Sequence, residues 1–235
     1  MTKPIRMAGG VAGAMAGLAL LAPGLTAPSP AQAGGSPAYI DQMADRLPAS
    51  AGTNWADVGQ YGTSNRARQV QIGENSAAIL QIGAGNLTDQ YQSGSANRAR
   101  AQQSGAGNVI TLVQDGSGHD AAGRQDGYEN RIRQIQYGIA NRAIAVQDGS
   151  SNSAIQLQDG SDNLSAVAQT GRGNSARTAQ YGTRNATTVE QSGGDGIEVV
   201  QRGANNSVES QQTILQNGVR ITQTGAGAAI KVATR

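Results

Sequence analysis

The chain has 235 residues, a formal net charge of +2, no cysteine, no phenylalanine, one tryptophan and one histidine. That composition excludes a disulfide framework, cysteine-based catalysis and a large aromatic core. Rich in Gly, Gln, Asn, Ser and Ala, it would read as disordered by content alone, but the order of its residues says otherwise.

Lys3 and Arg6 precede an apolar run over residues 7–22, and the stretch closes on Ala31-Gln32-Ala33. This pattern predicts a cleaved secretory signal peptide over residues 1–33. A membrane anchor fits less well, because the run is short, rich in Gly and Ala and cut by Pro23, so no stable membrane insertion is expected. Without Lys3 and Arg6, 16 basic residues face 16 acidic ones, and the sequence pI of 9.1 ceases to suggest nucleic-acid affinity. A nearly uncharged surface favours self-association, and no basic tract interleaved with aromatics points to nucleic acid. Residues 34–48, with Pro37 and Pro48, show no repeat and form a candidate secretion-targeting segment.

From residue 49 to residue 235 one phrase recurs, Asn-x-Ala-x-x-x-Gln-x-Gly-x-x. Its glutamines are Gln60, Gln71, Gln81, Gln92, Gln103, Gln114, Gln125, Gln136, Gln147, Gln158, Gln169, Gln180, Gln191, Gln201, Gln212 and Gln223, spaced by eleven residues except for two intervals of ten. Two residues after them stand Gly62, Gly73, Gly83, Gly94, Gly105, Gly116, Gly127, Gly138, Gly149, Gly160, Gly171, Gly182, Gly193, Gly203 and Gly225, and Ile214 takes the place after Gln212. The asparagines are Asn54, Asn65, Asn75, Asn86, Asn97, Asn108, Asn130, Asn141, Asn152, Asn163, Asn174, Asn185, Asn206 and Asn217, with His119, Asp195 and Ala228 as replacements. A repeat this regular sets the whole fold.

From Asn to Gln the spacing is even, so in a strand Asn, the small or β-branched residue after it, a variable residue and Gln share one face. Arg66, Arg68, Arg98, Arg100, Arg131, Arg133 and Arg142 fall on the other face, which belongs in water. The variable inward position alternates: Val58, Ile79, Ala101, Gly123, Ala145 and Val167 in one set of units, Gln69, Gln90, Leu112, Gln134 and Gln156 in the other. Two alternating strand types predict an all-β, two-sheet β-solenoid of strand-turn-strand rungs, about 22 residues each and about eight in number, amyloid-like in its cross-β stacking. Stacking sets Gln over Gln and Asn over Asn, so both columns are expected to form buried amide ladders, with the glycines marking the turns. Asp115, Asp126, Asp148 and Asp159, just after ladder glutamines, are either gatekeepers against premature aggregation or ordinary turn residues. Val70, Leu80, Tyr91, Val113, Ile135, Val146 and Leu157, just before them, face outward, either for lateral packing or a matrix partner or as plain strand formers.

Gln-x-Gly-x-x-Asn-x-Ala-x-x-x-Gln repeated at this period resembles the curlin repeat of bacterial curli, over residues 49–235. The resemblance implies a structural subunit of an extracellular functional amyloid fibre on a Gram-negative cell surface, supporting adhesion and biofilm matrix. It implies as partners further copies of the chain, the other curlin subunit, and the curli secretion pore and its chaperones. The basic "NRAR" and "NRIR" stretches at 65–68, 97–100 and 130–133 resemble repeats of the minor, nucleating subunit, as does the final "AAIKVATR", which carries Ala228 and Thr234 where Asn and Gln are expected. The chain has more rungs than familiar members, so repeat number does not assign the subunit. The alternative is a monomeric secreted β-solenoid, an adhesin or surface-binding protein.

No enzyme is expected. His119 sits at an Asn position beside a turn, no nucleotide-binding, hydrolase or zinc-protease motif occurs, and no cofactor is implied. "SGGDGIEVV" at 192–200 resembles a calcium-binding nonapeptide but occurs once, and no metal site is expected from it.

Overall fold

Strict alternation of small inward and polar outward residues, punctuated by Gly, leaves each short strand one apolar face that only a neighbouring strand can cover. In the computed structural model the chain solves this by coiling. Residues 35–43, 54–194, 196–213 and 218–234 are described; the expected signal peptide, Asp195, Ile214, Asn217 and Arg235 lie outside them.

The strands are β1 (Ala38–Met43), β2 (Trp55–Thr63), β3 (Arg66–Ala84), β4 (Leu87–Ala106), β5 (Val109–Ser117), β6 (Asp120–Tyr128), β7 (Arg131–Ile139) and β8 (Arg142–Ser150). They continue as β9 (Ser153–Ser161), β10 (Leu164–Arg172), β11 (Ser175–Thr183), β12 (Ala186–Gln191), β13 (Gly196–Ala204), β14 (Ser207–Gln212), β15 (Val219–Ala226) and β16 (Ala229–Thr234). β3 and β4 are long because each runs unbroken through an arc and contributes one half to each of two stacks. The first stack runs β1, β3, β4, β5, β7, β9, β11, β13, β15, and the second β2, β3, β4, β6, β8, β10, β12, β14, β16, every pairing parallel. The fold is a β-solenoid of about eight turns. At a strand spacing of about 4.8 Å it rises roughly 38 Å.

Register is held at every rung. Gln136 pairs with Gln114 below and Gln158 above, and Gly138 with Gly116 and Gly160. Where the sequence interval shortens to ten residues the deletion falls in an arc: pairing is irregular between Glu74 and Ser76, yet Gln81 still meets Gln60 and Gln103. A one-residue loss within a strand would turn all its later side chains to the other face, so an arc is the cheaper place for it.

The core is narrow. Ile110 and Ile132 follow one another in the first stack, which also holds Ala67, Ala154 and Ala176, while Ala99, Ala121 and Ala143 follow one another in the second, which ends on Val208 and Ile230; all but Ile230 are buried. At Gly123 the missing side chain leaves room that Ile110 and Ile132 fill, their methyls about one van der Waals contact from where a Cβ would stand. The alternating inward column resolves into the two stacks: Gln69, Gln90, Leu112, Gln134 and Gln156 lie in the first, Val58, Ile79, Ala101, Gly123, Ala145 and Val167 in the second.

The solenoid begins earlier than the repeat. β1 lies inside the segment that the sequence sets apart as unpatterned, and pairs in parallel with the first half of β3, Ala38 opposite Ala67 and Gln42 opposite Gln71. It has no Asn or Gly of the repeat to announce it; what it shares is a short alternating pattern, Ala38, Ile40, Gln42, in phase with the columns above.

Candidate functional site: amide ladders and open strand ends

Two unbroken glutamine ladders run the length of the molecule. In the first stack each Nε2 donates to the Oε1 of the glutamine one rung onward, from Gln71 through Gln92, Gln114, Gln136, Gln158, Gln180 and Gln201 to Gln223, at 2.7 to 3.0 Å. In the second the same bond links Gln81, Gln103, Gln125, Gln147, Gln169, Gln191 and Gln212, again at 2.7 to 3.0 Å. Every donor points toward the C-terminal end, so the ladders have a direction.

The remaining Nε2 hydrogen reaches across the core, a bond that the spacing alone does not reveal. Gln136 donates to the Asp120 carbonyl and Gln147 to the Arg131 carbonyl, each on the facing stack. One amide thus ties its own stack vertically and the two stacks to each other. Buried and fully bonded, it rejects any register that leaves it unpaired, at about 1–3 kcal/mol per orphaned group.

The asparagines behave differently from the simple ladder expected of them. Their Oδ1 accepts a backbone N–H, not chiefly a side-chain amide: Asn163 N donates to Asn141 Oδ1 and Asn152 N to Asn130 Oδ1. Their Nδ2 donates to the arc glycine of the next rung, as Asn141 does to Gly160, and commonly to the carbonyl four residues back, as Asn141 does to Tyr137. Side-chain contacts between asparagines occur beside these bonds at Asn86, Asn163, Asn174, Asn185 and Asn206. The cause is reach: the shorter Asn side chain sits where the arc leaves carbonyls turned inward, and satisfies them before it can extend along the stack. Asn54, Asn65, Asn75, Asn97, Asn108 and Asn130 are likewise buried brackets, giving an Oδ1 to the next rung's backbone.

His119 takes the same part. Its backbone N donates to Asn97 Oδ1, its Nδ1 accepts from Asn141 N at 3.2 Å, and its Nε2 lies 3.3 Å from the Asp115 carbonyl. This is the neutral Nε2–H tautomer standing in for an amide, and burial pushes its pKa below the ordinary imidazole value against the opposing pull of those backbone bonds.

The arc glycines are set by close approach. Gly149 has φ +119°, and a Cβ there would lie 2.0 Å from the Gly171 carbonyl oxygen. The same stacking recurs through Gly62, Gly83, Gly105 and Gly127 in the second stack and Gly73, Gly94, Gly116, Gly138, Gly160 and Gly182 in the first, with Gly203 packed on Gly225. Gly193 falls in the shortened arc before β13, where Gly194 has φ +80° and its N–H takes the place of an Asn backbone by donating to Asn174 Oδ1.

Outside, the arginines named above are exposed, as are Asp115, Asp126, Asp148 and Asp159; Asp126 and Asp148 stand one over the other. Of the outward apolar residues, Tyr91 and Val146 are exposed and Leu80, Val113, Ile135 and Leu157 half-buried, while Val70 is buried.

At the ends the columns stop without a helix or further strand among the described residues. Ile230, at an inward position buried in its counterparts Thr187 and Val208, is 36% exposed because β16 is the last strand of its stack. At the other end β1 and β2 are the first strands; the inward Ala38 and Ile40 of β1 are only partly buried, while Ala56 and Val58 of β2 are buried. Each end therefore presents a strand edge and a partly uncovered core.

No protein-family model matches this chain, and no curated protein matches it.

Proposed function

We propose that the chain is a structural subunit of an extracellular curli-type amyloid fibre that grows by end-on stacking of solenoids. The observation that carries this reading is the pair of continuous, polarised glutamine ladders ending in open strands. Globular proteins cover such edges; here, among the described residues, each end offers a strand edge without a further strand and a partly uncovered core in the same parallel register as the interior. Continuing the path beyond β16 calls for a strand on β15 and then one on β16. In the next copy β1 and β2 hold those places, and the register brings Gln42 over Gln223 and Gln60 over Thr234. The subunits would join head to tail, with the fibre axis along the solenoid axis. The basic outward repeats and the loss of a ladder residue at Thr234 favour the minor, nucleating role, which needs one good templating end more than two. Secretion, attachment to a Gram-negative cell surface, and pairing with a second curlin subunit belong to the same proposal.

The test is to block one end. A bulky domain fused after Arg235 is expected to leave the fold intact by circular dichroism and to abolish elongation of added seeds. Unchanged elongation rates with that fusion would remove the C-terminal rung from the mechanism.

A further inference from the structure

The two outer faces are not alike. Parallel register lines up the residue just before the ladder glutamine into a straight column. On the first stack this column runs from Val70 through Tyr91, Val113, Ile135, Leu157 and Ala179 to Val200, with Val70 and Ala179 buried and the rest exposed or half-buried. On the second stack the same position reads Leu80, Gln102, Arg124, Val146, Ala168 and Glu190, with no continuous apolar line.

The flanks of the apolar column carry unequal charge. On one side Asp89 pairs with Arg68 at 3.7 Å, and Glu198 with Arg177 at 3.8 Å and Arg220 at 2.6 Å, whereas Arg133 makes no ion pair among the described residues. On the other side Asp115, Tyr137 and Asp159 stand on successive rungs, exposed, and neither Asp makes an ion pair among the described residues.

We propose that the first-stack face pairs with the same face of a second copy, about a two-fold axis parallel to the solenoid axis. That operation sets the apolar columns against each other and turns the Arg133 flank onto the Asp115 flank. At equal height Arg133 meets Tyr137 of the second copy, between Asp115 on the rung below and Asp159 on the rung above. The self-complementary contact is made twice, as an isologous interface requires. Both solenoids keep the same direction, so both can elongate from the same end. The face is about 30 Å long and about 20 Å wide by strand geometry, or roughly 1,200 Å² counted over two partners, at the lower end of stable interfaces. Its repetition along a fibre makes it sufficient, and that repetition alone rests on the fibre reading above.

The chain has no cysteine, so a single introduced one reports unambiguously. Oxidation of assembled Ile135→Cys is expected to give disulfide-linked dimers in high yield, while Val146→Cys, on the second-stack face, stays monomeric. Arg133→Glu added to Ile135→Cys lowers the yield several-fold, and Asp115→Lys with Asp159→Lys restores it. Equal yields for the two cysteines, or dimers from Val146→Cys alone, would overturn the pairing. Fibres that form without Ile135→Cys dimers reject the pairing and leave end-on growth standing. Dimers that form without fibres reject end-on growth and leave the pairing standing.

Discussion

At residue scale the molecule asks for side chains that hold an acceptor and a donor in a fixed place, and His119 shows how specific the demand is. An imidazole serves where Asn stands in most other rungs because Nδ1 can accept from Asn141 N while Nε2–H points to the Asp115 carbonyl. Protonation would put a donor where an acceptor is needed. Since burial lowers the folded pKa below the unfolded value of about 6.5, the unfolded chain binds the proton first. Stability is therefore full above that value and declines as pH falls toward the folded pKa, by about 1.4 kcal/mol per unit of difference. Urea titrations of wild type and His119→Asn should diverge below about pH 6.5, the variant losing less; parallel curves would mean the ring stays uncharged throughout. A second position makes the complementary point. Leu112 interrupts the inner column of Gln90, Gln134 and Gln156, and leaves Gln134 Oε1 buried without a partner among the described residues. Leu112→Gln would supply that donor, so the variant should lie within about 1 kcal/mol of wild type, against a loss of 2 kcal/mol or more for a buried amide with nothing to bond. Chemical denaturation decides between the two.

At the scale of the element, the arcs contain two left-handed positions under different constraint. At Gly149 the next carbonyl occupies the space of a Cβ, so Gly149→Ala must shift backbone and should cost more than about 3 kcal/mol. Two residues further on, arcs use Ser64, Ala96, Glu129, Ala140, Ser151, Asp162, Arg184 or Asn205 at φ near +55°, without that close contact being needed. Ala140→Gly there should raise stability, by about 0.5–1 kcal/mol, since relief of left-handed strain outweighs the added chain entropy. Thermal unfolding of the two variants checks both signs. The same elements show what the sequence could reveal. Spacing of Gln, Gly and small residues was enough to place strand faces, arcs, the two stacks and the glutamine columns, because these follow from side-chain alternation and from register. The asparagine brackets were not legible, since whether an amide turns along the stack or back to a carbonyl depends on where the arc aims its backbone. Gln136 Nε2 reaching the Asp120 carbonyl was hidden for the same reason. β1 was missed because three alternating residues without Asn or Gly carry too little pattern to count as a repeat.

For the whole molecule, a rung that is satisfied only by the rung above and below has no natural stopping place. Interior strands have partners on both sides, whereas β15 and β16 have one each among the described residues, and Ile230 stands partly bare. Asp126 stands directly over Asp148 and exposed arginines recur on many rungs, and among the described residues nothing covers the ends. On the proposed function, stability and assembly are the same interaction, made within a chain or between chains. The most direct measurement is fibre diffraction from the chain beginning at Gly34, incubated at micromolar concentration while thioflavin fluorescence is followed. The account predicts rising fluorescence and aligned fibres with a meridional reflection near 4.7 Å and an equatorial one near 10 Å. A folded chain that stays monomeric for days and gives no such reflections would contradict it.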